Sequence, residues 1–146
     1  MGDRALGAMP PWGRDAWPSA FVIPKAQASA SSLQRLLWTL QHGQVEVRET
    51  AAPVTVDGKS YPAGSYAVLV KQPFGGYGKT LLERQKYPNL FEYPGGPPKR
   101  PYDVTAHTLP LLFGVEVAAV MGAEPPTGKV LPEVKEPTFS APGLTA

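Results

Sequence analysis

A chain of 146 residues with a formal net charge of +2 is long enough for one domain with a real core, and that charge is too small to argue for a nucleic-acid or acidic-membrane partner. The absence of cysteine excludes a disulfide framework, a thiolate metal site and a cysteine nucleophile. No apolar run approaches the roughly 18 residues of a membrane span, and the first residues lack the apolar core of a signal peptide, so no compartment can be read from the chain.

Fifteen glycines and eighteen prolines are well above the usual share, and their placement divides the chain. Only Pro24, Pro53, Pro62 and Pro73 fall between residues 20 and 87. The expected organisation is therefore a linker or extension over 1–17, a compact domain over 18–121 and a Pro-rich tail over 122–146. Flanks of this kind suggest a domain cut from a longer chain.

Within the compact part, "AFVIP" (20–24) reads as a short buried strand closed by proline. "SSLQRLLWTLQHG" carries Leu33, Leu36, Leu37 and Leu40 at helical spacing, with Ser31 and Gln34 as a capping pair and Gly43 as the stop. "VEVRE" (45–49) alternates like a strand with one covered face. Val54 and Val56, the Asp57-Gly58 turn and a run ending at Val70 predict a small hairpin followed by a buried central strand, "SYAVLV". A short helix is expected from Thr80 to Tyr87 before Pro88. A proline-rich loop follows from Phe91 to Tyr102, held by packing of Phe91, Tyr93 and Tyr102 or else mobile. "AHTLPLLFG" predicts a helix with Pro110 in its first turn and Gly114 at its end, and "VEVAAV" (115–120) the last strand. Strand, helix and strand in this order favour a mixed α/β sheet with crossover helices.

Few residues carry chemistry. "PFGGYGKT" resembles a phosphate-binding loop in Gly78, Lys79 and Thr80, but Pro73 stands where the first glycine of G-x-x-x-x-G-K-[ST] belongs. Proline offers no N–H and has a fixed φ, so a glycine-rich turn leading into a helix is the better reading. Residues 71–100 carry a local excess of positive charge through Lys71, Lys79, Arg84, Lys86, Lys99 and Arg100, readable as a solvated face or as an anion or partner contact. His42 and Glu46 are separated by the helix stop at Gly43 and are not expected to share a face. Asp103 and His107 would lie one turn apart on a continuous helix, but Pro110 favours a capping Asp103 and a packed or surface His107. No G-x-S-x-G elbow is present, and two histidines without cysteine are too few for a zinc site.

The segments "AFVIPKAQ" (20–27), "DGKSYPAGSYAVLVKQPFGGYGKTLLERQKYPNL" (57–90) and "YPGGPPKRPYDVTAHTLPLLFGVEV" (93–117) resemble the region that follows the catalytic domain in bacterial zinc carboxypeptidase-like proteins of the carboxypeptidase A-like metallopeptidase family. The resemblance covers residues 18–121, and "GGPPKRPYDVTAHTLP" is its most specific part. It implies a degenerate class I glutamine amidotransferase-like domain, that is, a small, mostly parallel sheet flanked by helices, flavodoxin-like, with a β-hairpin and extended termini. It also implies a hydrolase parent, whose zinc is bound by an H-x-x-E pair and a distant histidine while a glutamate acts as base. His42 is followed three residues later by Val45 and His107 by Pro110, so neither opens such a pair. Zinc is therefore expected only in the parent's catalytic domain, and no cofactor in this chain.

Three functions remain in view. The first is a non-catalytic accessory domain whose partner is the parent's peptidase domain, with Tyr93, Lys99, Arg100 and Tyr102 as contacts. The second is a module binding a small ligand, either an anionic one such as a peptide through its carboxylate or a saccharide, at Lys71, Gln72, Phe74 and Tyr77, directly after the central strand. The third is a cryptic hydrolase using Asp103 and His107. Neither nucleic acid nor membrane is expected as a partner, and an exported parent is compatible with all three.

Overall fold

In the computed structural model, residues 17–84, 90–99 and 108–138 are described. Strand β1 spans Ala20–Ile23 and is buried along its whole length. Helix α1 (Ala30–His42) begins two residues earlier than the Ser31 pair suggests: Ser29 is its N-cap, its hydroxyl accepting the N–H of Ser32 at 3.2 Å. Leu33, Leu36, Leu37 and Leu40 form the buried face of the helix, as their spacing requires.

The end of α1 is a Schellman motif. Gln44 donates to the Gln41 carbonyl and Val45 to that of Leu40, each at 2.9 Å, satisfying carbonyls that the last turn would leave open. The left-handed residue is Gln44, with φ 62°, while Gly43 stays at φ −80°. Gly43 is small for another reason: a Cβ there would fall 2.3 Å from Cε1 of Tyr77.

Strand β2 covers Arg48–Thr50, and β3 (Val54–Val56) pairs with β4 (Lys59–Tyr61) as a two-residue hairpin. Asp57 and Gly58 both have positive φ, 49° and 79°, the type I′ geometry that matches strand twist and selects Asp-Gly. Strand β5 (Tyr66–Leu69), helix α2 (Gly75–Leu82), helix α3 (Leu109–Phe113), strand β6 (Ala118–Val120) and strand β7 (Thr127–Val130) complete the order. Helix α2 starts earlier than the run from Thr80 and ends at Leu82; the rest of the expected helix lies largely outside the described residues.

The strands form a five-stranded sheet in the order β6-β1-β5-β2-β7. Every ladder in it is antiparallel. This overturns the mostly parallel, glutamine amidotransferase/flavodoxin-like sheet expected from the sequence. The crossover through α1 does make β1 and β2 run in the same direction, since both are antiparallel to β5. It leaves them one strand apart, and β5 enters the gap from the opposite end by way of the hairpin. Strand and helix order along a chain is the same for an adjacent and a split crossover, so the pattern alone could not distinguish them.

Alternation along the strands separates two cores. Phe21, Ile23 and Val68 face the helices and pack with the α1 leucines, Val45, Val47, Leu82 and Val115. Ala20, Val22 and Val120 face the other way and are covered by Val54, Val56 and Tyr61 of the hairpin. Helices thus lie on one side of the sheet and a β-ribbon on the other. The segment read as a Pro-rich tail supplies edge strand β7, and beyond it Leu131 and Val134 pack against the helix-side core. Gln41 holds this segment by donating to the carbonyls of Leu131 and Pro132 and accepting the N–H of Val134.

Candidate functional site

The loop leaving β5 is built as a latch. Gln72 accepts the N–H of Glu46 at 2.7 Å and donates to the carbonyls of Glu46 and Leu69 at 3.1 and 2.7 Å. Its carboxamide stands in for a peptide unit and ties the exit of β5 to the entry of β2. The N–H of Val70 is taken by the carbonyl of Ser19 at 2.9 Å. This side chain, expected to bind a ligand, is committed to the fold.

The glycine-rich stretch serves packing. A Cβ on Gly75 would sit 1.7 Å from the Val70 carbonyl oxygen, and one on Gly78 would meet Val45 Cγ1 at 3.1 Å. The two glycines let the loop turn back on β5 and let α2 lie close against Val45 and Val68. Lys79 pairs with Glu83 one turn on, and its ammonium lies 4.9 Å from the centre of the Trp17 ring. The Thr80 hydroxyl donates to the Gly76 carbonyl at 3.0 Å. The lysine and hydroxyl that resembled a phosphate-loop pair therefore have partners within the chain.

Beside this loop, at the carboxyl end of β5, lies an open cavity of about 790 Å³ lined by Trp17, Pro18, Lys71, Gln72, Pro73 and Glu124 among others. Of the residues expected here, Lys71 and Gln72 line it. Phe74 and Tyr77 do not, although both are about half exposed; Tyr77 lies instead over Gly43. The participation of Trp17 and Glu124 was not legible, because nothing local in the sequence brings residues on either side of β1 and β6 to the end of β5.

A second groove, about 540 Å³, runs between the end of α1 and the segment after β7. Trp38, His42, Glu46 and Glu133 line it. His42 and Glu46, not expected to share a face, do border the same groove, because the Schellman turn folds the chain back at Gln44. Their side chains are engaged separately: His42 stacks on Trp38 with ring centres 4.8 Å apart, and Glu46 accepts from Arg48 at 2.7 Å. Among the described residues no group of three His, Asp or Glu side chains is placed to hold a metal ion.

The segment Leu90–Lys99 forms a small hairpin of its own. Lys99 donates to the Leu90 carbonyl at 2.7 Å, Glu92 to that of Pro97 at 3.1 Å, and Gly96 to that of Tyr93 at 2.9 Å. Pro94 followed by Gly95 with φ 77° gives a type II turn, whose third residue needs positive φ. Phe91 and Tyr93 are 56% and 61% exposed on it, while a Cβ on Gly96 would meet the Tyr93 ring at 2.7 Å. Lys99 is exposed at its base. The further candidates Arg100, Tyr102, Asp103 and His107 lie outside the described residues.

One polar cluster anchors the β3–β4 ribbon. Glu116 accepts from Lys59 at 2.5 Å and from the Tyr61 hydroxyl at 2.9 Å, while Gln27 pairs with the Glu116 backbone in both directions. The hydrogen bond from Lys59, and then that from Tyr61, hold the Glu116 carboxyl below its usual range. The bond to Glu116 raises Lys59, and burial raises Tyr61. At the other end of the sheet Lys25 and Lys129 flank Glu49 at 2.9 and 3.5 Å; the bond from Lys25 lowers Glu49. Both clusters join separate parts of the chain, and each carboxylate is matched by a cation. Comparison with protein-family models, with characterised proteins and with solved structures finds no match.

Proposed function

We propose that this chain is a non-catalytic accessory module of a zinc carboxypeptidase-like hydrolase, packing on the peptidase domain or shaping the approach to it. The observation that supports this reading is the Leu90–Lys99 hairpin, whose own backbone bonds hold Phe91 and Tyr93 out in solvent. Exposed aromatics on a preformed turn lose little conformational freedom on association, and aromatic residues are over-represented where interfaces derive their energy. The resemblance in "GGPPKRPYDVTAHTLP" supplies the identity of the partner.

Two measurements test the reading. The intact mass of the natural product shows whether a peptidase domain is joined to this one. Calorimetric titration of the chain with that peptidase domain should then give a Kd of about 1–10 μM or tighter, as expected for a specific interface of moderate size. The double change Phe91→Ser and Tyr93→Ser should weaken binding at least about tenfold. A natural product with no peptidase region, or no heat of binding, would remove the basis for an accessory role.

A further inference from the structure

We propose that the cavity at the carboxyl end of β5 binds a short peptide with both termini free, its carboxylate on Lys71, its ammonium on Glu124 and an apolar side chain against Trp17 and Pro73. The argument starts from size. At about 790 Å³ the cavity falls in the range of small-ligand sites, roughly 300–1,000 Å³, and it has room for two or three residues.

Its polar lining then narrows the chemistry. Four polar side chains border it: Ser19, Lys71, Gln72 and Glu124. Two of these are spent. Ser19 donates to the carbonyls of Val120 and Ala123 at 3.1 and 3.3 Å, and Gln72 is the latch between β5 and β2. Lys71 and Glu124, in contrast, form no ion pair or hydrogen bond among the described residues. One cation and one anion, both available, border the same space, so the ligand that satisfies both carries one charge of each sign. An anion would meet Lys71 while facing Glu124, and an uncharged sugar would use neither charge.

The remaining lining is apolar and flat. Pro18, Pro73 and Val70 supply fixed or aliphatic surface, and Trp17 supplies a ring steadied by the Lys79 ammonium. Charged groups at opposite ends with an apolar body between them describe a dipeptide or tripeptide, whose ends lie roughly 7–10 Å apart when extended. This inference needs only the chain itself and stands or falls separately from the peptidase partner.

The test is calorimetric titration of the full chain at neutral pH and low salt with Gly-Phe and Gly-Gly-Phe, each compared with its N-acetylated and C-amidated form. The free peptides should bind, and blocking either end should weaken binding about two- to fivefold, the loss of one exposed charge pair. In Lys71→Ala the preference for a free carboxylate over the amide should vanish while that for a free amine persists. In Glu124→Ala the pattern should invert. Both residues are exposed, so neither variant endangers folding. No binding of either free peptide at about 10 mM, or binding indifferent to both blocked ends, would overturn the proposal. So would end preferences unchanged in the two variants.

Discussion

Gly75 and Gly76 are adjacent in sequence and opposite in consequence. An alanine methyl at Gly75 would lie 1.7 Å from the Val70 carbonyl oxygen, 2.6 Å from its carbon and 3.1 Å from its Cα. That obstacle is backbone, and it is held: the Val70 N–H is bound to Ser19, and Gly75 itself donates to the Gln72 carbonyl at 3.0 Å. Relief therefore requires shifting the β5 exit together with the latch. Overpacking typically costs about 1–3 kcal/mol, and an immovable neighbour puts Gly75→Ala at the upper end, about 3 kcal/mol. Gly76 has nothing within 4 Å of the same methyl, and replacing a helical glycine by alanine gains about 0.5–1 kcal/mol. At about 2–4 °C per kcal/mol for a chain of this size, the first variant should melt roughly 10 °C lower and the second roughly 2 °C higher. Urea and thermal denaturation followed by circular dichroism read both. If Gly75→Ala came within about 1 kcal/mol of the parent, or the two shifts had the same sign, packing would not be what these glycines provide.

Three further outcomes follow from the same structure. Gln44 holds φ 62° without being glycine, a conformation costing an ordinary residue about 1 kcal/mol, so Gln44→Gly should raise stability by about 0.5–1 kcal/mol in urea titration. Gln72→Ala removes three hydrogen bonds at a partly solvated site and should cost about 1–2 kcal/mol, with hydrogen exchange at the Glu46 amide accelerating more than at β1; uniform acceleration would contradict a local latch. The Glu116 cluster makes the ribbon sensitive to pH at both extremes. Its carboxyl is held below the ordinary 4.5, so its contribution is complete above that pH and is lost as pH falls through the lower folded-state value. Lys59 and Tyr61 are held above 10.5 and 10.0, so theirs is complete below those values and is lost as pH rises past them. Glu116→Gln should therefore narrow its stability deficit against the parent as pH falls below 4.5; a deficit independent of pH would show that the carboxylate charge is not what anchors the ribbon.

What the sequence disclosed was mostly local. The leucines of α1 fix its buried face, Asp57-Gly58 fixes the hairpin turn, and Pro110 with Gly114 brackets α3, because periodicity and backbone preference act within a few residues. The direction of β5 relative to β1 and β2 was hidden, since antiparallel insertion and parallel adjacency draw on the same apolar runs. Strand β7 was hidden for the opposite reason: "TGKV" is mostly exposed, so it shows little apolar pattern, and only pairing with β2 makes it a strand. At the cavity, Lys71 and Gln72 were legible as lining residues from their place after the central strand, whereas the hydrogen bonds of Gln72 to the Glu46 and Leu69 backbone had no local signal, because together they bridge segments far apart in the chain. Trp17 and Glu124 arrive from distant parts of the chain and had no signal in their own neighbourhoods.

The strand order has a consequence for how this chain comes to be folded. None of the four ladders in the main sheet joins elements that follow one another in the chain: β5 closes on β1 and β2, β6 returns to β1, and β7 returns to β2. Among the described residues, the pairings that can form from their own neighbours are the β3–β4 ribbon and the small Leu90–Lys99 hairpin. Loop-closure entropy must therefore be met before sheet pairing offsets it, which calls for slow, concerted assembly rather than growth from one end. During synthesis the β2 edge waits uncovered until residues 127–130 emerge, and over that interval an unpaired strand can recruit the wrong neighbour.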